Sequence, residues 1–521
     1  MFSVLIPSRN RLNLLKLAVE SVRLQDFGDF EIVISDNASD DDYRGYVDEL
    51  GDARVRYLRS DSPLSVTENW NRALEAAQGD YVVMLGDDDA MAPGYLSHQA
   101  WLISAFDRPD VLYANCYHYT YPGVIPGAPD GYLATVDNSV LFHDRNAPYE
   151  VDLDWARRLG VMGPAFRHQI SFNAQHYMYR RDYILSLADL GPFYQSPYPD
   201  YYVSFLTFLT AARIIADPHP RMIIGIAKQS FGFYFMNQRE EEGRLQFLSA
   251  PVDTAFLSGG DPAVVEAIER PGVAHVRNWL LAALQLKQRL AGRIEVAVDL
   301  RRYRRLQTME MALLAGYETR EPRRAYYDYM RGLRGADLAF ARRALRSAMT
   351  VKRLKLPDTR SIMWGYQSLL NTYHPATVAY HGIPSHQDIL DAVRWLALPA
   401  EAPPEPEPAT VAPSLEEQLA RSQSQLQSLN EAHAALARRG DELAAAAEQA
   451  AGETLRLAAE LESTVRSRKA GQERERLLTA ERDELLGQRA ALERSLPWRA
   501  TRTLRAFLAR LDRKPPDLTP L

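Results

Sequence analysis

The sequence predicts an α/β protein: a largely parallel sheet at the N-terminus, a helical stretch behind it and a long C-terminal coiled coil. Three observations predict this. Short apolar runs alternate with segments of helical period over the first hundred residues, as when strands are joined by right-handed helical crossovers. Each of three runs ends in a polar cluster rather than in a simple turn. Beyond residue 414, one phase recurs every seventh position through Leu415, Leu429, Leu436, Leu443, Leu457, Leu478, Leu485 and Leu492, with Ser422, Ala450, Thr464 and Gly471 between them and a weaker companion seam, the signature of a locally loose supercoiled helix.

In chain order, Phe2 to Ile6 is an apolar run ended by Pro7, hence a strand and then a loop. Leu12 to Leu24 spaces Leu14, Leu15, Ala18, Val19 and Val22 as one helix face. Phe30 to Ile34 is a second strand, closed by the polar cluster Ser35 to Asp42, and Val55 to Leu58 a third. Thr67 to Ala77 is a helix with Trp70, Ala73, Leu74 and Ala77 on one side, stopped near Gly79. Tyr81 to Leu85 is the fourth strand, uniformly apolar as a strand covered on both faces should be. It runs into Asp87-Asp88-Asp89 and then Pro93. Acidic residues are poor strand formers, so the chain leaves the sheet there. That is the carboxyl end of a strand, where open α/β sheets bind ligands.

Three strand ends therefore meet at one sheet edge: Ser8-Arg9-Asn10, Ser35-Asp36-Asn37 and Asp87-Asp88-Asp89. Crowded carboxylates repel one another unless a cation sits among them. A hard divalent ion, Mg²⁺ or Mn²⁺, takes oxygen ligands and keeps positions open for water and phosphate. A solvated acidic turn or a helix N-terminus is the other reading of the same residues. Neither G-x-G-x-x-G after a strand nor G-x-x-x-x-G-K-[ST] occurs. Phosphate neutralisation is thus left to a metal and a basic side chain.

The series Pro7-x-Arg9-Asn10, Ile34-Ser35-Asp36-Asn37-Ala38-Ser39, Asn69-Trp70-Asn71, and Gly79-Asp80-Tyr81 through Leu85-Gly86-Asp87-Asp88-Asp89 to Pro93 resembles the family 2 glycosyltransferases. The resemblance is strong over residues 1–100 and weak over 100–245. It implies the GT-A fold, a nucleotide-sugar-binding domain with a Rossmann-like mixed sheet, and inverting transfer of a sugar from a nucleotide-sugar donor. By it, Asp36 holds the nucleotide base, Pro7 and Arg9 line that pocket, Asn71, Asp87 and Asp88 complete the donor site, and Asp88 is the metal ligand. The family's acidic motif reads Asp-x-Asp-Asp; here Gly86 stands where the first acid is expected, leaving Asp87 either to substitute for it or to face away.

Val111 to Tyr119 and Gln169 to Tyr179 alternate like half-exposed strands, and Met222 to Ile226 is a further strand. The loop from Gly191 through Pro199 delivers Asp200 to a helix start. Inverting displacement needs a base within hydrogen-bond reach of the acceptor hydroxyl. The resemblance assigns that base to this junction, hence to Asp200; an N-cap on the helix Tyr201 to Ala211 is the structural alternative. Lys228, Ser230 and Gly232 follow a strand, either solvated or near the donor diphosphate. His168 and His176 lack metal-ligand spacing and read as packed side chains, and the single Cys116 as a buried apolar one.

The predicted divisions are a catalytic domain over 1–245, a helical accessory domain over 246–398, a Pro-rich linker over 399–413, a coiled coil over 414–494 and a basic amphipathic tail over 495–521. Within the helical stretch, Val264 to Glu269, Val276 to Leu290 and Ile294 to Ala315 have helical period. The basic runs from Arg301 to Arg305 and from Arg342 to Arg353 read as solvated faces, with anionic lipid head groups as the alternative. The coil implies self-association. The tail, with Trp498, Leu504, Phe507, Leu508 and Leu511 among arginines, suits an anionic membrane interface.

A net charge of −6 argues against general nucleic-acid binding, and one cysteine against a disulfide framework. No stretch approaches a transmembrane length, and the first residues lack the pattern of a signal peptide. Together with the resemblance, these features lead us to expect a cytoplasmic hexosyltransferase, metal-dependent and peripheral at the inner face of the membrane. It would use a nucleotide-sugar donor and a glycan or lipid-linked glycan acceptor in surface polysaccharide biosynthesis. An inactive GT-A scaffold that organises such enzymes through its coil is the alternative, suggested by Gly86.

Overall fold

The computed structural model describes residues 1–124, 130–136, 139–143, 145–236, 242–243, 259–317, 320–353, 378–398 and 471–490. The chain forms two compact units, Met1–Glu401 and Ala402–Leu521. The linker, the tail and most of the predicted coil lie outside the described residues.

The first unit opens with β1 (Phe2–Ser8), α1 (Leu12–Arg23), β2 (Phe30–Asp36), α2 (Tyr43–Leu50), β3 (Val55–Arg59), α3 (Val66–Ala76), β4 (Tyr81–Met84), β5 (Ala90–Met91) and α4 (Tyr95–Ala105). β1 pairs in parallel with β2 and β4, and β2 with β3. The apolar strands β1, β2 and β4 are buried along their whole length because both faces are covered. Val4, Ile6, Ile32, Ile34, Val83 and Leu85 pack towards α1 and α4. Leu5, Val33, Val82 and Met84 face the opposite core with Ala73 of α3. Alternate residues of each strand thus serve two layers, as the pleat requires.

The sheet becomes mixed with β6 (Val111–Thr120), β7 (Tyr132–Val136), β8 (Tyr149–Glu150), α5 (Leu153–Met162), β9 (Tyr177–Arg180), α6 (Arg181–Ser186), α7 (Pro199–Thr210), β10 (Ile214–Ile226) and α8 (Phe231–Met236). β9 inserts antiparallel between β4 and β6, and β10 runs parallel to β6 with an irregularity between Asp217 and Met222. Two expectations are corrected here. β6 is buried on both faces apart from the half-buried Tyr117 and His118, because Val111 and Tyr113 pack into one core with α7 while Leu112 and Cys116 pack into the other with α4. Of the segment from Gln169 to Tyr179, only Tyr177 onward is strand. Asn173 instead caps a short 3₁₀ turn over Ala174–His176, accepting from the Gln175 N–H at 3.0 Å.

Helices α9 (Pro262–Glu269), α10 (Ala274–Arg289), α11 (Leu300–Tyr317), α12 (Arg320–Arg331) and α13 (Gly335–Arg353) follow. Val264, Leu280 and Leu286 belong to the same core as Val82 and Phe205. Trp279 of α10 packs on Phe166, Phe172 and Phe205 while its indole N–H donates to the Gly163 carbonyl at 2.8 Å. Residues 294–299, expected to be helical, precede α11 as an irregular connection.

β11 (Val378–His381) then adds to the sheet, antiparallel to β7, and α14 (Ile389–Leu396) packs Ile389, Leu390 and Val393 on Ala90, Ala92 and Ile223. In the second unit, residues 471–490 are one helix, with Leu477, Leu478, Leu485 and Leu486 each more than half exposed. Among the described residues no helix is long and apolar enough to cross a membrane.

Candidate active site

The ends of β1, β2 and β4 border a cavity of about 500 Å³. Of the residues singled out from the sequence, Pro7, Arg9, Asp87, Asp88 and Asp200 line it. Asn37, Asn69, Trp70, His118, Asn173, Gln175 and Gly232 contribute further wall, and His275 of α10 reaches the same space.

The three consecutive aspartates have separate surroundings. Asp89 is buried and saturated: it accepts from the Gly86 N–H at 2.9 Å, from the Gly225 N–H at 2.8 Å and from the Gln175 amide at 2.5 Å. Burial, with Asp88 beside it, raises its carboxyl well above the usual carboxylate range. Asp87 is also buried; Arg11 pairs with its Oδ2 at 3.0 Å and Ser8 Oγ donates to the same oxygen. Burial pushes the Asp87 carboxyl up to about 6, against the lowering influence of Arg11. Its Oδ1 is buried with no hydrogen-bond partner among the described residues. Asp88 is half-buried, and among the described residues its carboxylate makes no hydrogen bond or ion pair.

This division explains Gly86. A Cβ at that position would lie 2.5 Å from Asp89 Oδ2 and 2.9 Å from Asp88 Oδ1. The Asp89 carboxylate thus occupies the space a side chain at position 86 would need. Gly225 is required for a similar reason, since a Cβ there would fall 1.7 Å from the Asp88 carbonyl oxygen. β10 passes directly against the acidic turn, and only a residue without a side chain allows that approach.

Among the described residues, no group of three or more His, Cys, Asp or Glu side chains is arranged to hold a metal ion. The residues nevertheless fit a divalent cation of the open kind. Asp87 Oδ1 is an unsatisfied buried anionic oxygen, and Asp88 is an uncommitted carboxylate beside it. Mg²⁺-type sites commonly use one or two carboxylates, with water and substrate phosphates completing the shell. Arg9 Nη1, buried without a partner among the described residues, offers a cationic donor in the same cavity.

Asp200 sits in the first turn of α7, one residue after Pro199. The N-cap is Tyr198, so the capping alternative for Asp200 does not hold. A helix N-terminus favours the ionised form, and the Tyr201 N–H donates to Oδ1 at 3.1 Å. Burial among aromatic residues outweighs both and pushes the carboxyl up to about 7. The side chain stays partly open on the cavity side.

Two expected site residues lie away from the cavity lining. Asp36 is fully buried; Tyr57 and Arg59 of β3 donate to Oδ2, each at 2.7 Å, and the Ser39 N–H donates to Oδ1 at 2.9 Å. Its neighbour Asn37 borders the space instead. The Asn71 amide donates to the Tyr194 carbonyl at 2.8 Å and accepts from the Tyr194 N–H at 3.1 Å, tying α3 to the loop that leads to Asp200. Ser230 accepts from the Ala227 N–H at 2.6 Å in a turn, and Lys228 is exposed. His168 and His176 are held down to about 4 and about 3 by burial, as packed side chains are. The sequence reading missed Arg11, Gln175 and His275. Arg11 alone left a local trace, as a second arginine in the loop after β1.

The mixed sheet gathers its polar strand ends on one cavity, which makes this an α/β domain with a carboxylate cluster at the carboxyl edge of its strands. Residues 3–146 match the family described as glycosyl transferase family 2. Over 98 residues the chain is 40% identical to the GalNAc(5)-diNAcBac-PP-undecaprenol beta-1,3-glucosyltransferase of Campylobacter jejuni, covering 18% of this chain and 32% of that protein. It is 31% identical over 170 residues to WcaA of Escherichia coli, named for colanic acid biosynthesis, covering 30% of this chain and 58% of that protein. The chain thus spans between about a third and somewhat over half of these relatives' length. The solved structure of S. aureus TarS with UDP-GlcNAc aligns over 68% of this chain and 91% of that one, at 16% identity and a TM-score of 0.39.

Proposed function

We propose that the protein is an inverting, metal-dependent glycosyltransferase that moves a sugar from a nucleotide-sugar donor to a glycan acceptor, such as a lipid-linked glycan, in surface polysaccharide biosynthesis. The observation that carries this reading is that Asp88 and Asp200 border one cavity, which Arg9 also lines with a nitrogen that has no hydrogen-bond partner among the described residues. Asp88, with Asp87 Oδ1 beside it, is the anchor for a divalent cation. Such an ion, when bound, offsets charge on a leaving diphosphate. Asp200 takes the proton from the acceptor hydroxyl as that oxygen attacks the anomeric carbon. Arg9 contributes positive charge to the donor side, and Arg11 keeps Asp87 ionised by its ion pair. Asp36 acts at one remove: it fixes the loop after β2 whose Asn37 faces the donor space. The leucines exposed on the helix at 471–490 support self-association through a coiled coil, because a lone helix would leave them in water.

The test is thermal stabilisation by nucleotide sugars with and without Mn²⁺. A donor that binds only the folded state must raise the melting temperature. Stabilisation by one donor class that needs the ion and vanishes in Asp88→Ala is the expected result. No shift with any nucleotide sugar would leave a catalytically inactive scaffold as the better reading.

A further inference from the structure

Residues 300–353, which span α11, α12 and α13, carry 14 Arg and Lys against 5 Asp and Glu, in a chain whose net charge is −6. The three helices turn their apolar sides inward around Met311, Ala315, Tyr326, Tyr329 and Leu345. α12 consequently presents the opposite face to solvent, with Arg323, Arg324, Tyr327 and Arg331 exposed. These side chains and Asp328 border a shallow open groove. Solvated basic faces are usually interspersed with carboxylates that pair along the helix. Here Asp328 answers Arg331 at 2.6 Å, while Arg324 makes no hydrogen bond or ion pair among the described residues. The positive field of this face is therefore only partly neutralised.

We propose that the exposed face of α12 docks on an anionic phospholipid surface. Arginine forks pair with phosphate oxygens, and their aliphatic stems lie along the acyl boundary while the charge stays at the head groups. Tyr327, 52% exposed among these arginines, has the apolar body and polar tip that suit a membrane interface. A long free polyanion is a poorer occupant. Over the remainder of the chain 62 Asp and Glu outnumber 47 Arg and Lys, so a polymer that extended past the patch would meet net repulsion, whereas a bilayer meets only the face turned towards it. The α12 face is distinct in sequence from the basic tail, and vesicle binding is measurable without any sugar donor. Its failure is thus distinguishable from failure of the transferase reading.

The experiment is co-sedimentation of the full chain with vesicles of phosphatidylcholine alone, or with phosphatidylglycerol added, at rising salt. Binding to the anionic vesicles alone, weakening with salt, is expected. The double variant Arg324→Glu/Arg331→Glu should lower the partition coefficient by about tenfold or more, with the melting temperature unchanged. Tyr327→Ser should weaken binding by a smaller factor at constant charge. Equal binding to both vesicle types overturns the proposal. So does unchanged binding by the double variant, above all if Phe507→Asp/Leu508→Asp in the tail abolishes it. Retention on an immobilised sulfated polysaccharide without vesicle binding also overturns it, in favour of a polyanion.

Discussion

Burial penalises the charged form of the Asp200 carboxyl and pushes it up to about 7 in the folded chain. If it is the base, the acid limb of the kcat/KM profile should have its midpoint near that value, since only the ionised form accepts a proton. Asp200→Asn should cost on the order of 10²–10⁴ in transfer and leave donor binding intact. Stability should move the other way. The folded state holds this proton more tightly than the unfolded chain does, so stability falls as pH rises from about 4 through about 7. The asparagine variant, having no charge to bury, should melt at a higher temperature than the parent at pH 8 and at nearly the same temperature at pH 4. An acid limb unmoved near 7 in the surviving activity of Asp200→Asn would assign the titration elsewhere. At this scale the sequence was least legible. The Arg11–Asp87 pair joins residues 76 positions apart, and the saturation of Asp36 by Tyr57 and Arg59 depends on β3 lying beside β2. Neither neighbour relation is written in local pattern.

At the level of elements, the uniformly apolar runs of β1, β2 and β4 announced themselves, because burial on both faces leaves no other reading. The segment from Gln169 to Tyr179 misled for a physical reason. Ser171, Asn173 and Gln175 alternate with apolar residues as on an exposed strand, yet Ser171 and Gln175 are buried. Gln175 meets Asp89 and Asn173 borders the cavity, while the Ser171 backbone is held away from solvent by the Tyr113 and Tyr177 hydroxyls. Polar residues turned towards a site mimic polar residues turned towards solvent. The contact of β10 with the acidic turn yields a prediction of its own. Gly225→Ala must drive a methyl group into the Asp88 carbonyl, which is backbone and cannot swing aside. A loss of about 2–4 kcal/mol in the urea midpoint analysis is expected, together with loss of donor stabilisation. A variant as stable as the parent would mean that β10 does not press on this turn.

For the molecule as a whole, the 1–245 piece read from the resemblance leaves out Trp279, Leu280 and Leu286 of the shared core, and β11 and α14 as well. Expressed alone, it should aggregate or bind a hydrophobic dye, whereas 1–401 should unfold cooperatively. By light scattering, 1–401 should be monomeric and the full chain larger than one copy, in line with the leucines exposed at 471–490. A monomeric full chain would remove the coil from the account.

The late return of β11 and α14 also constrains how the protein is born. Tyr380 pairs with Ala134, and Ile389 settles near Gly225, so partners separated by more than 150 residues must meet. A nascent chain emerging from the ribosome with its acidic turn already made still lacks the helix that covers β5. Until translation has passed Leu396, the half-finished product shows an open sheet margin and an uncovered apolar patch, the features that recruit chaperones. A translational pause far enough beyond Leu396 for this segment to have cleared the exit tunnel would give it time to dock before the remaining residues appear.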